Sequence, residues 1–481
     1  MSSLETLQSA EAFVSGRALP AAMVCHRRLA EQPLVICLFS LGAEPFSVAA
    51  VQWGTEPGDP RRAVAGEPRN RDLLFASLLN FAGEFNAYFD AAWATHTVRV
   101  NRKGREIAEV AEPPQILVPN RESIMLLGRL GRRLRFVEGA PDELLCLGAH
   151  LAFLREHAVV AGQQLIVAAT ELNDVHFHMA LNDWERGSLA AQDMAIEPPA
   201  GAPGHAAAAE IDITPIGPRP DATQDDRLRP LLERFNRDRA GATDPATVNP
   251  LLGAIEAHYE ALLADAWRLT WRTRERLLEA RSEARMVRPR VAADAEEYVR
   301  HMQLMDQGIR RRTRQSVSQA IALRARWEDS NARLGAQQAY DDPLQMVDVL
   351  LSGQAMIGAV LDVDLDHHIQ GPKKMVRRPR IELELDGSCP FLPGELVHWD
   401  VDPERNYEIE TVTPRPGGGD LVAMLLRNPD APVIPAAGQV MCVATLSVTK
   451  RYRGGSAANV PWPYAAPSVA TDGDIDAEEA A

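Results

Sequence analysis

Apolar residues follow two different spacings along the chain, and the change of spacing divides it into parts. The runs 33–41 and 46–53 are rich in β-branched and aromatic residues and flank a Gly/Pro turn, which predicts a hairpin. Residues 72–93 repeat apolar positions at steps of three and four, which predicts a helix, and 142–157 follow Pro141 as a second one. We therefore expect a mixed α/β domain over residues 1–196.

Proline and alanine dominate the next segment, residues 197–229. Its prolines are Pro198, Pro199, Pro203, Pro215, Pro218 and Pro220, and an alanine run covers 206–209. Such a composition cannot bury a core and usually stays extended. We interpret the segment as a linker between domains.

Helical spacing returns over residues 230–353. One stripe of apolar residues contains Leu252, Ile255, Tyr259, Leu262, Ala266, Leu269 and Leu277, and a second contains Met302, Met305, Ile309, Ala320, Leu323 and Trp327. Pro289 lies between the two stripes, where one helix should end and the next begin. The pattern predicts a long antiparallel helical hairpin, or stalk.

The spacing changes to two after the predicted stalk. In residues 354–453, short runs such as 381–385 alternate apolar and polar positions, and glycine or proline separates them. Five to seven strands of this kind predict a small C-terminal β-barrel or sandwich. Residues 454–481 carry Asp472, Asp474, Asp476, Glu478 and Glu479, which favours an acidic disordered tail. The whole chain is thus expected to be a multi-domain α+β protein.

Charge and cysteine usage narrow the class of protein. The formal net charge is -15, which argues against a chain that coats nucleic acid along its whole length. The five cysteines include no C-x-x-C pair, so neither a zinc ribbon nor a disulfide framework is expected. The N-terminus lacks the features of a signal peptide, and no apolar run reaches about 18 residues. We expect a cytoplasmic protein without a membrane partner.

Positive charge is nevertheless gathered in the second half of the chain. Two clusters are the candidate electrostatic binding residues: Arg310, Arg311, Arg312 and Arg314 on the stalk, and Lys373, Lys374, Arg377 and Arg378 in the β domain. A third group, Arg268, Arg272 and Arg276, recurs at four-residue steps near two tryptophans. Clustered like charges repel each other, and arginine and lysine bind phosphates. These clusters indicate a nucleic acid or an acidic protein as partner.

An aspartate- and histidine-rich string offers a different interpretation. The candidate metal ligands are Asp364, Asp366, His367 and His368. The string does not fit a calcium loop, whose sixth and twelfth positions would be His367 and Lys373. Asp366-His367-His368 resembles the motif that names the DHH phosphoesterases, and that resemblance implies metal ligands and a phosphoesterase activity. The further aspartate motifs of that family are missing from the N-terminal half. The alternative reading is an exposed strand edge.

Sequence motifs for catalysis or cofactors are absent. The chain has no G-x-S-x-G, no G-x-x-x-x-G-K-[ST] and no G-x-G-x-x-G after a strand, so we expect no cofactor. A stalk beside a small barrel is similar to the accessory region of some superfamily 1 helicases, although no helicase motif is present. The leading hypothesis is a non-enzymatic binding or scaffold protein, and an accessory role to a separate motor or nuclease is one form of it. The alternatives are a metal-dependent hydrolase and a structural oligomerisation subunit.

Overall fold

A computed structural model describes residues 3–41, 44–104, 106–198, 217–219, 222–241, 249–308, 317–371, 374–427 and 433–449. Helices and strands mix in the first half of the chain, and strands dominate after residue 354. The predicted mixed α+β class is therefore confirmed. The predicted acidic tail and most of the predicted linker lie outside the described residues.

The elements are numbered in chain order. The helices are α1 (Ser3–Ser15), α2 (Arg71–Ala94), α3 (Arg121–Leu134), α4 (Asp142–His157), α5 (Ala169–His176), α6 (Asp183–Arg186), α7 (Leu189–Ile196), α8 (Ala222–Gly241), α9 (Asn249–Ala280), α10 (Val287–Asp306), α11 (Val317–Asp341) and α12 (Pro343–Leu351). The first strands are β1 (Leu19–Pro20), β2 (Leu34–Leu41), β3 (Glu44–Gly54), β4 (Arg61–Val64), β5 (Thr97–Val100), β6 (Glu106–Glu109), β7 (Ile116–Val118), β8 (Ile166–Ala168) and β9 (Phe177–His178). The C-terminal strands are β10 (Ala355–Asp364), β11 (His368–Gln370), β12 (Met375–Arg377), β13 (Arg380–Glu384), β14 (Leu396–Trp399), β15 (Tyr407–Pro414), β16 (Asp420–Leu426) and β17 (Val440–Ala444).

A five-stranded mixed sheet organises the N-terminal half. Its order is β4-β3-β2-β7-β8, with β7 parallel to both β2 and β8, and β3 antiparallel to both of its neighbours. Every residue of β2 is buried, because helices cover both faces of the sheet. The predicted hairpin corresponds to β2 and β3, and the predicted helices correspond to α2 and α4.

Helices pack on the two faces of this sheet through separate cores. On one face, Ile36 and Leu38 meet the phenylalanines of α2, such as Phe85, together with residues of α3 and α4. On the other face, Val35 and Phe39 meet α8 and α9. Alternate residues of β2 thus point to opposite cores, as the period of two in a strand requires.

The structure does not confirm the predicted stalk between α9 and α10. Tyr259 of α9 packs against Phe39 on one face of the sheet, with ring centroids 6.4 Å apart, whereas Tyr298 of α10 packs against Phe89 on the other face at 5.9 Å. Pro289 lies in the first turn of α10, where a missing N–H costs little, and not between the helices. Ile255, Tyr259 and Leu277 of the first stripe lie in the core on one face of the sheet, and Met302 of the second stripe lies in the core on the other face. Ala320 of the second stripe is exposed, and Ile309 lies outside the described residues.

A six-stranded antiparallel sheet forms most of the C-terminal part. Its order is β10-β13-β16-β15-β14-β17, and β10 pairs with both β13 and β17, so the sequence of pairings closes on itself. The interior holds Trp399 and Tyr407 together with alternate aliphatic residues of all six strands. The helix α11 joins this sheet to the rest of the molecule, since the Tyr340 hydroxyl donates to the Leu446 carbonyl at 2.7 Å.

Close packing of α3 on α4 depends on glycine. A Cβ at Gly148 would lie 2.5 Å from the backbone nitrogen of Arg135, closer than atoms of this kind can approach. We expect Gly148→Ala to lower the free energy of unfolding by about 1–3 kcal/mol, since backbone and not a flexible side chain blocks the space. Urea denaturation measures the change.

Gly253→Ala in α9 is the matched control for that substitution. No atom lies within 4 Å of a Cβ at Gly253, and alanine is the better helix former. We expect this variant to be more stable than the wild type by up to about 1 kcal/mol. Equal destabilisation by both substitutions would contradict the packing argument.

Candidate nucleic-acid interface

Two short strands form a hairpin that leaves the six-stranded sheet between β10 and β13. β11 and β12 pair with each other in the register His368↔Arg377, Ile369↔Val376 and Gln370↔Met375, and no other described strand joins them. The Arg378 amide donates to the His367 carbonyl at 2.8 Å and closes the base of the hairpin. We name residues 367–378 the basic arm, of which 372 and 373 lie outside the described residues.

The turn of the basic arm requires Gly371. A Cβ at this position would lie 2.7 Å from Cγ2 of Val376 and 2.8 Å from the carbonyl oxygen of Lys374. The Gly371 amide donates to that same carbonyl at 3.0 Å. Local sequence therefore sets the register that places Lys374 at the end of the arm and Arg377 opposite His368.

The described cations of the basic arm are poorly neutralised by the protein. The Lys374 side chain is exposed and makes no ion pair with any described residue. Nε of Arg377 donates to the Leu365 carbonyl at 2.8 Å and lies 3.8 Å from a carboxylate oxygen of Asp366, an exposed side chain. Nε and Nη1 of Arg378 are buried without an acceptor in the described part of the chain. Lys374 and Arg377 are exposed and can meet an external anion, whereas these two nitrogens of Arg378 are shielded from solvent.

The basic stripe of Arg268, Arg272 and Arg276 pairs with carboxylates of the chain itself, which argues against its interpretation as a binding surface. Arg272 and Arg276 both bind two carboxylates at the end of α7, those of Asp193 and Glu197. Arg268 pairs with Asp265 at 3.1 Å. Burial raises the pKa of Glu197, but hydrogen bonds from Arg276 and Arg272 outweigh it and hold that pKa below its ordinary value. The acids of the chain itself occupy this stripe.

The other sequence-predicted residues have different outcomes. Arg310, Arg311, Arg312, Arg314 and Lys373 lie outside the described residues.

Asp364, Asp366, His367 and His368 lie where β10 runs into the arm. Nδ1 of His367 is 3.9 Å from a carboxylate oxygen of Asp364, while Nδ1 of His368 is bonded to the Asp366 carbonyl. Among the described residues, no three histidine, cysteine, aspartate or glutamate side chains converge as metal ligands would. The geometry gives the phosphoesterase interpretation no support.

Sequence reasoning missed a second group of arginines, which lies on the N-terminal half. Arg121, Arg129 and Arg132 belong to α3, and Arg155 belongs to α4. The sequence of α3 does contain a signal, because its apolar residues and its arginines lie on different sides of the helix. The three arginines are separated by eight and three residues, and this spacing places them on one helical face. Arg155 could not be assigned to this group from local sequence.

Comparisons with protein-family models, with curated proteins and with solved structures each found no match. Among the described residues, we find no helix with the length and apolarity needed to cross a bilayer. The function must therefore be argued from the site.

Proposed function

We propose that the protein binds nucleic acid through its basic arm, without catalysis. The observation that carries the proposal is the set of cations at Lys374, Arg377 and Arg378 on a hairpin that pairs with no other described strand. Phosphate oxygens are the acceptors that arginine forks fit best, and a phosphate chain offers many of them in a row. The acidic net charge of the chain would restrict such binding to its basic surfaces, of which the basic arm is one.

The small closed sheet would serve as the support for the arm. We infer that it works as a barrel from which the hairpin projects, because a barrel has no free strand edges of its own. The arm presents charge without a phenylalanine, tyrosine or tryptophan among its described positions, so contacts with the phosphate backbone would dominate contacts with bases. Binding would then be largely independent of nucleotide sequence and sensitive to salt.

Charge reversal of the arm tests the proposal. We expect Lys374→Glu, Arg377→Glu and Arg378→Glu, combined in one variant, to weaken binding of a fluorescein-labelled 20-nucleotide DNA strand by about tenfold or more at low salt. The slope of log affinity against log salt should fall by about 2, at about 0.7 for each lost phosphate contact on a single strand. Fluorescence anisotropy at several salt concentrations measures both quantities.

A control variant separates the arm from general repulsion. Arg405→Glu, Arg415→Glu and Arg427→Glu change the net charge of the same domain by the same amount, but these arginines already pair with Asp402, Glu384 and Glu408. This variant should keep most of the wild-type affinity. Equal losses in both triple variants, or no binding by the wild type at low salt, would remove the proposal.

A further inference from the structure

Two packed helices bring four arginines to one surface of the N-terminal half. Arg121, Arg129 and Arg132 lie on the side of α3 that does not enter the core, and Arg155 lies on the adjacent helix α4. Gly128 makes room for Arg155, since a Cβ there would lie within 3 Å of Cβ, Cγ and Cδ of the arginine. We name these four residues the arginine face.

The arginines of this face are close enough to repel each other. Burial lowers the pKa of Arg155, and the charges of Arg121, Arg132 and Arg129 lower it further. Arg121 is paired with Glu171 at 3.2 Å, on a largely exposed side chain, which is a weak arrangement. Arg132 and Arg155 make no ion pair within the part of the chain that the structure describes. Arg132 and Arg155 therefore keep positive charge that no described carboxylate balances, in contrast to Arg272 and Arg276 on α9.

A cavity of about 220 Å³ lies beside the arginine face, lined in part by Ser40, Glu122, Arg129 and Arg219. It is located where β2 and β7 end, and ligands of open α/β sheets bind outside the carboxyl ends of such parallel strands. The site thus combines charge with a recess.

The segment 217–219 forms one wall of this cavity and is held by the ends of the two strands. The Ser40 hydroxyl donates to the Pro218 carbonyl at 3.0 Å, and the Asn120 amide donates to the Gly217 carbonyl at 2.8 Å. The same Asn120 side chain caps α3 by accepting from the Ser123 amide at 3.0 Å. Asn120 therefore holds both the start of α3 and the wall of the cavity.

We infer that the arginine face binds the phosphate groups of a nucleic-acid strand, as a second contact separate from the basic arm. Arg121 and Arg132 are eleven positions apart, or about 16 Å along the helix axis, so the face spans several successive phosphates. Arg155 widens the positively charged surface on the α4 side. The inference does not require the arm, because its charge and its recess belong to a different part of the fold.

Reversal of the two unpaired charges tests the inference in the full-length protein. We expect Arg132→Glu combined with Arg155→Glu to weaken binding of the labelled 20-nucleotide DNA strand by about tenfold, and to lower the salt slope by about 1.4. Glutamate at 155 keeps two of the three methylene groups that pack over Gly128, those of Cβ and Cγ. Arg132→Glu alone, at an exposed position, should give about half of the slope change if the double variant is destabilised.

The matched control reverses Arg229 and Arg324, two exposed arginines that already pair with Asp226 and Glu328. It changes the net charge equally and should bind as the wild type does. Equal losses of affinity in the Arg132/Arg155 variant and in this control would overturn the inference.

The result also separates the two proposed contacts. If the variant with a reversed basic arm binds normally while the Arg132/Arg155 variant does not, the result supports binding by the arginine face and contradicts binding by the basic arm. The opposite pattern retains the arm and overturns the arginine face.

Discussion

Replacement of Asp342 by alanine is expected to lower the free energy of unfolding by about 3–5 kcal/mol, as removal of one partner from a buried polar group does. The side chain is fully buried between α11 and α12. It accepts hydrogen bonds from the amides of Met23 at 2.8 Å and Leu344 at 3.0 Å, and it lies 3.2 Å from Nε2 of the buried His26. Alanine would leave all three donors without this acceptor.

The ionised form of Asp342 carries this effect. Burial by itself raises the pKa of the carboxyl group, but hydrogen bonds from His26, Met23 and Leu344 outweigh it, so its pKa lies below the ordinary value. The carboxylate also caps the first turn of α12, which leads directly into β10. One side chain therefore ties the N-terminal segment to the helices that support the C-terminal sheet.

Urea denaturation, followed by circular dichroism, measures the loss. Asp342→Asn should cost less than alanine, because its amide oxygen can still accept one of the backbone hydrogen bonds. Glu328→Ala on α11 removes an exposed carboxylate and should change stability by less than about 0.5 kcal/mol. A loss below about 1 kcal/mol for Asp342→Ala would show that the surrounding donors find other acceptors.

Helices and strands whose burial follows from their own residue pattern could be predicted from sequence. The phenylalanines of α2 repeat at helical spacing, and the two-sided burial of β2 explains its unbroken apolar run. The stalk could not be predicted correctly in the same way. An apolar stripe shows that a helix face is buried, but it does not show what buries it, and the sheet competes with the neighbouring helix for that role.

The ion-pair partners of the arginines could not be predicted from nearby residues in the sequence either. The acids nearest in sequence to Arg272 and Arg276 include Glu275 and Glu279, yet their partners are Asp193 and Glu197, which are about 80 positions away. In the opposite sense, Arg155 joins the arginines of α3 only because Gly128 allows close helix packing. The cation cluster of the arm was recognised from sequence because its residues are neighbours in the chain, but the hairpin that carries them was not predicted.

Acid is expected to destabilise the protein from about pH 6 downward through histidines that are buried in the neutral form. Burial lowers the pKa of His150 to about 3, and burial with the nearby charges of Arg281, His26 and Arg27 lowers the pKa of His176 to about 3. Between pH 3 and 6.5 the unfolded chain binds these protons and the folded chain does not. Stability therefore falls as the pH falls across that window.

The carboxyl group of Asp174 has the opposite effect on the pH dependence of stability. Burial raises the pKa of Asp174 to about 6, so the folded chain binds its proton more readily than the unfolded chain between pH 3.8 and 6. In this range the unfolded chain binds two protons at His150 and His176, whereas the folded chain binds one at Asp174. The unfolded chain therefore carries one more proton than the folded chain. Their sum predicts a loss of about 1.4 kcal/mol per pH unit between pH 6 and pH 4.

His150→Gln isolates one histidine from the other titrating groups. In the folded protein, Nδ1 of His150 lies 2.9 Å from Nε2 of His301, and a glutamine amide can replace that hydrogen bond without titrating. The slope of unfolding free energy against pH should become shallower than that of the wild type by about 1.4 kcal/mol per pH unit.

The control is Gln303→Ala, at an exposed residue of α10 that carries no titrating group, and its slope should match that of the wild type. If His150→Gln and the wild type lose stability in parallel from pH 6 to pH 4, the folded protein must accept a proton at His150. The packing of that ring against Phe89, with centroids 4.4 Å apart, would then have to open at mildly acidic pH.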